Sequence, residues 1–288
     1  MELRTFRDFC VTGVVMLLLA APLLAQQAGS RVAPQVSLAT TPLVTALMLP
    51  ELIEIMRDEG LEHADELAQE MFPDAGRTRW LDMVERIYDP ARMQDIVVQQ
   101  FDLAMQGVDI PRLEAFYGTD QGKRIVALEL SARRALLDEA VVDLSRQTWE
   151  HARDTNDPSQ AILGRFIEAN DLIEINVMGA LNANFAFYLG LSSGGAFDAS
   201  MTEDQMLREV WSQEEAIRTE TTQWVYSYLT LAFQPLSAVD LEAYIALSNS
   251  TQGRALNGGL FAAFDALFVT LSGDLGRAAA QFMGGEDI

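Results

Sequence analysis

The sequence has one cysteine, Cys10, two histidines, His63 and His151, and one lysine, Lys123. Cys10 lies ahead of an apolar run and would be removed with it, so the rest of the chain has no disulfide, no thiolate and no cysteine-ligated zinc. The histidines stand far apart among acidic neighbours, and no His-Glu-x-x-His pair occurs. A serine triad needs a histidine as base and a nucleophile presented on a strand-to-helix turn. No run of alternating β-branched residues marks a strand, and no Gly-x-Ser-x-Gly elbow is expected. Gly194-Gly195 and Gly258-Gly259 lack the context of a phosphate loop or dinucleotide fingerprint. The oxygen-rich stretch Asp154 to Pro158 continues with Ser159, where a calcium loop of the EF-hand type needs Gly. It reads as a helix-breaking turn.

Positive charge is also scarce. Twenty Lys and Arg against 42 Asp and Glu leave a formal charge of −22. That excludes a basic face for nucleic-acid phosphates and adhesion to anionic lipid through charge. Proline is absent from 159 to 234, which leaves room for long helices.

What is present begins with an export signal over residues 1–25. Arg4 and Arg7 precede the uncharged run Val11 to Ala25, which is shorter than the roughly 20 residues that span a bilayer. It has the form of a secretory h-region, and the expected destination is the periplasm. Residues 26–40 are small and polar and read as a flexible lead-in. Hydrophobic residues make up 49% of the sequence, enough for a core without disulfides.

Self-comparison yields two matches. Leu52, Ile53, Glu54 and Ile55 recur as Leu172, Ile173, Glu174 and Ile175. Asp109, Gln121, Gly122 and Lys123 recur as Asp240, Gln252, Gly253 and Arg254. The expected fold is therefore all-α, built from two tandem related helical units, 41–157 and 158–288. Each unit should hold a short helix near 50 or 170 and a second over 60–72 or 180–191. A middle helical region over 76–106 or 202–234 follows. Each unit then closes with a brief helix, 110–117 or 240–248, and a long one, 120–152 or 251–283. Asp109 and Asp240 are expected as N-caps of the brief helices, and Thr202 with Gln205 as a capping box. Leu256, Leu260, Ala263, Leu267, Leu271 and Leu275 form one stripe of the last helix, and Ile125, Leu128, Ala132 and Leu136 its counterpart. The uncharged stretch from Ile175 to Phe197 contains Asn176, Asn182 and Asn184. These amides favour a buried core or subunit-interface helix over a membrane helix.

The stretches LPELIEIMRDEGL (49–61), LEAFYGTDQGKRIVALE (113–129) and YIALSNSTQGRALNGGLFAAFDALF (244–268) carry a family resemblance. Through them the chain resembles a secreted bacterial family, domain of unknown function 2059, over most of 45–285. The resemblance implies an all-helical envelope protein. It implies no activity and no catalytic residues.

Two groups of residues are candidates for a site. Trp80, Tyr88, Phe116 and Tyr117 could line an aromatic groove. Asp171 and Glu174, with Asn182 on the same sector of the helix, could form a buried polar cluster that shares a proton or binds a cation. No catalytic, cofactor or metal site is expected. The expected role is non-catalytic binding of an envelope protein or an apolar ligand. The alternatives are an enzyme that uses buried carboxylates and a membrane-associated envelope protein.

Overall fold

Helix boundaries follow local chemistry along the whole chain. The computed structural model describes residues 40–71, 74–197 and 201–283, so the expected leader and most of the lead-in lie outside the described residues. Helix α1 is Thr41–Ala46, α2 Leu49–Met71, α3 Asp74–Ile87 and α4 Pro90–Ala104. Then come α5 Ile110–Tyr117, α6 Asp120–Ala135, α7 Glu139–Asp154 and α8 Pro158–Ala169. Helices α9 Leu172–Ser193, α10 Glu203–Trp211, α11 Glu214–Phe233, α12 Ala238–Ser248 and α13 Thr251–Met283 complete the set. No strand occurs among the described residues. The fold is all-α.

Caps place many of these boundaries. Asp89 and Asp157 each accept a backbone N–H just ahead of a helix that opens with proline. Thr202 and Gln205 form the expected capping box of α10. Asp109 precedes α5, but its side chain makes no capping bond. Asp240 is not an N-cap. It is the third residue of α12 and closes a capping box with Ser237, because α12 begins one turn earlier than the sequence match implies.

Several helices differ in extent from expectation. The pairs near 50–72 and 170–191 are single helices, α2 and α9. Gly60, inside α2, carries the Tyr88 ring against its backbone and continues the helix. The middle regions each break in two, at Asp89-Pro90 and at Ser212-Gln213. The long helix expected over 120–152 also breaks, and Asp138 caps a new start at α7. Its counterpart α13 runs unbroken.

Helices α9 and α13 are the most intimate pair in the fold. A Cβ on Gly276 would lie 2.2 Å from the Phe187 carbonyl oxygen, and one on Gly190 would lie 2.3 Å from that of Gly273. Backbone therefore meets backbone, and only glycine fits. By length and composition both helices could cross a membrane. Here they pack on each other, and α13, α11 and α10 cover most of α9, leaving a strip through Glu174, Met178 and Asn182 exposed. Helix α13 also packs on α4 and α3, α11 on α6 and α7, and α12 on α8.

The buried residues form two clusters. The larger joins α1, α2, α4, α5 and α6 to α8, α11, α12 and most of α13. The smaller joins α2 and α3 to α9, α10 and the end of α13. Each draws on residues before and after 158, so the two halves of the sequence share their cores.

One local motif recurs. Thr119 accepts the backbone N–H of Gly122, and Ser250 that of Gly253. A Cβ on Gly122 would collide with the Phe116 carbonyl at 2.3 Å, and one on Gly253 with the Leu247 carbonyl at 1.9 Å. These two turns keep the register of the second sequence match. The first match is not kept in the same way. Met48 and Asp171, both left-handed, precede α2 and α9. The backbone thus pairs Leu49 with Leu172, whereas the sequence pairs Leu52 with Leu172.

Candidate functional site

The expected groove does not form. Trp80 is fully buried in the smaller core, donates its indole N–H to the Ala64 carbonyl at 2.8 Å, and meets Phe282 edge-on. Tyr88 lies over Gly60 between the two cores. Phe116 and Tyr117 belong to the larger core, where Phe116 stacks on Tyr244. Phe116 and Tyr117 meet edge-on at 5.3 Å, but core packing keeps them from forming one groove with Trp80 and Tyr88, and Tyr117 lines a cavity.

The expected polar cluster does not form either. Asp171, Glu174 and Asn182 are all exposed. Glu174 is held by a forked pair with Arg218, whose hydrogen bonds keep its carboxyl below the usual range. Partial burial and the neighbouring Glu174 charge raise Asp171. Asn182 turns away to Asp265, donating to its carboxylate at 3.0 Å. On α9 the buried sectors face α13 and α11, which leaves these three on the rim. Asn176 and Asn184 are the asparagines inside.

The string Gly190-Leu191-Ser192-Ser193-Gly194 does spell Gly-x-Ser-x-Gly. Its serines lie in the last turn of α9, not on a strand-to-helix turn, and Ser193 bonds back to the Gly190 carbonyl. It is not a nucleophile elbow. His63 faces Glu66, and His151 is exposed near the end of α7. Among the described residues no three His, Cys, Asp or Glu side chains gather as metal ligands.

A different site exists. A cavity of about 80 Å³ lies where α1–α2, α6, α11 and α12 meet, so both halves of the sequence build it. Leucines, among them Leu47, Leu49 and Leu52 from the α1–α2 junction, form much of its wall. Met48, in the middle of that junction, holds a left-handed backbone, an uncommon and costly conformation for a side chain of this kind. Tyr117, Tyr228, Tyr244, Glu129 and Arg133 supply the polar lining.

Glu129 is the distinctive group. By area it is half-buried, and it lines the cavity among leucines and tyrosines. That burial pushes the carboxyl up to about 8, moderated by a hydrogen bond with Tyr244. It forms no ion pair among the described residues. Arg133, one turn further along α6, is committed elsewhere. It forks onto Glu59 at 2.8 and 2.6 Å, and its guanidinium lies 5.6 Å from the Trp224 ring centroid. Burial works against the Arg133 charge, and the Glu59 carboxylate outweighs it. Tyr228 donates to the Glu129 backbone carbonyl at 3.0 Å. Burial, followed by the Glu129 charge, holds the Tyr117, Tyr228 and Tyr244 hydroxyls above their ordinary range.

Of these groups, sequence reasoning singled out Tyr117 alone. A signal for the others was present. Ile125, Glu129 and Arg133 recur every four residues on one helix face, beside Val126 and Leu130. Of the expected stripe, Ile125 and Ala132 are buried and Leu128 and Leu136 only partly so; Gly122, Val126, Leu130 and Arg133 are the other buried residues of α6.

No family model, curated protein or solved structure matches the chain.

Proposed function

We propose that this chain is an exported, non-catalytic helical protein that binds the apolar end of a ligand in the Glu129 cavity. One observation carries this reading: a leucine- and tyrosine-lined cavity lies at the junction of the two sequence halves, at a strained turn. Its lining contains no Ser, Cys, His or Lys to act as a nucleophile. At about 80 Å³ it is well below the roughly 150 Å³ of an engineered apolar cavity that admits benzene. It therefore suits a short chain end or a small headgroup, and a whole lipid would not fit. The apolar run Val11 to Ala25 supports export to the periplasm, which the resemblance to domain of unknown function 2059 also implies.

Mass spectrometry on protein isolated from a periplasmic extract tests both parts. The denatured mass is expected to lack residues 1–25 or close to that. The native mass is expected to carry a small adduct that Leu130→Trp, which fills the cavity, abolishes. A full-length denatured mass removes export. A native mass without adduct, together with no binding of short alcohols in solution, removes the cavity as a binding site.

A second reading takes Glu129, a carboxyl at the cavity wall, as an acid. A carboxyl pushed up to about 8 suits a general acid. An activity retained in Glu129→Gln removes that reading.

A further inference from the structure

We infer that the cavity recognises the ammonium end of a short alkylammonium ion, with Glu129 as counter-charge and Tyr117, Tyr228 and Tyr244 around it. This rests on the binding reading above and adds the class of ligand. An enclosed carboxyl is ordinarily paired with a cation or kept neutral. Glu129 forms no ion pair among the described residues, because Arg133, which also lines the cavity, is held by Glu59. The three tyrosines line the same space. Tyrosine rings attract a cation, and each phenolic oxygen can accept a hydrogen bond from an ammonium. Leu47, Leu49 and Leu52 give an alkyl stem apolar wall to lie against. An anion would meet the Glu129 carboxyl and find no free guanidinium. A net charge of −22 raises the local concentration of cations and lowers that of anions. The size of the cavity limits the bound part to about three to five heavy atoms.

The chemistry makes recognition depend on pH. The groups facing Glu129 are Tyr117 from α5, Tyr228 from α11, Tyr244 from α12 and, on α6 itself, Arg133 with its partner Glu59 from α2. The tyrosines stay protonated and Arg133 stays charged through the neutral and mildly alkaline range. Glu129 alone titrates there, so an incoming ammonium displaces its proton to solvent.

Titration calorimetry on the full chain tests this with two probes of one shape, n-butylammonium chloride and n-butanol. The ammonium is expected to bind about tenfold more tightly at pH 9 than at pH 7, as the ionised fraction of Glu129 rises from about a tenth to about nine tenths. At pH 7 each ammonium bound is expected to release close to one proton, read from buffers of different ionisation enthalpy. Glu129→Gln is expected to weaken the ammonium at least tenfold and leave n-butanol unchanged. Binding of n-butanol without the ammonium, or an ammonium affinity unaffected by pH and by Glu129→Gln, overturns the ammonium inference and leaves the binding reading standing. If neither probe binds, the binding reading itself fails. Should Glu129→Gln not fold, proton release from the unaltered protein decides, and ammonium binding without release overturns the inference.

Discussion

Replacing Glu129 by Gln should change the pH dependence of stability in a way no surface substitution could. In the unfolded chain this carboxyl titrates near its ordinary 4.5, and in the fold near 8. Below 4.5 both states hold the proton and the group contributes no pH dependence. Between 4.5 and 8 the unfolded chain releases the proton and the folded chain keeps it, so stability falls as pH rises. Above 8 the loss is complete. At about 1.4 kcal/mol per pH unit, it reaches about 3 kcal/mol at pH 7 and about 5 kcal/mol at pH 9. Gln imitates the protonated acid, so Glu129→Gln should match the native protein at pH 5 to within about 1 kcal/mol. At pH 9 it should exceed it by several kcal/mol. Urea unfolding followed by far-UV circular dichroism at pH 5, 7 and 9 reads this difference. Glu174, Glu242 and Asp240, held low by hydrogen bonds to their partners, lose their contribution on the acid side. They do so equally in both proteins and cancel. A gap between the two proteins that is the same at pH 5 and pH 9 would refute the enclosure of Glu129.

Other substitutions probe the frame around it. Gly276→Ala should destabilise by about 1–3 kcal/mol or more, because its Cβ would press on the Phe187 carbonyl. Gly179→Ala, in the same helix pair with nothing within 4 Å, should instead stabilise by about 0.5–1 kcal/mol; urea midpoints of opposite sign are the readout. Trp80→Phe should cost about 1–3 kcal/mol through the lost indole N–H bond to the Ala64 carbonyl and the lost ring volume, measured by thermal unfolding. Glu59→Gln should destabilise by about 1–3 kcal/mol because it strands the buried Arg133 charge, whereas Arg133→Met should cost less. A double-mutant cycle separates the two effects. Glu174→Gln should shift stability by less than about 1 kcal/mol and leave ligand binding unchanged, since its pair with Arg218 is exposed.

The all-helical fold was legible in the sequence because it depends on local patterns. The Thr202 capping box, the Asp157-Pro158 break and the Thr119 and Ser250 turns each act within a few residues. The stripe from Leu256 to Leu271 on α13 was also legible, because helical periodicity puts an apolar face inward whatever it packs against. Continuity was harder to read. At Gly60 α2 packs against Tyr88, from the turn after α3, and propensity alone favours a break there.

The site depended on tertiary structure. Glu174 recurs in the sequence and sits on an apolar helix, yet α13 and α11 cover the other faces of α9 and leave it in solvent with Arg218. Glu129 looks like an ordinary surface acid in a charged segment. It becomes an enclosed carboxyl only because α5, α11 and α12 bring three tyrosines around it and α2 takes Arg133 away with Glu59. A residue's place on a helix face follows from its own neighbours in sequence. Whether that face meets water, a counter-charge or three rings depends on helices distant in sequence, and that decides the chemistry of Glu129.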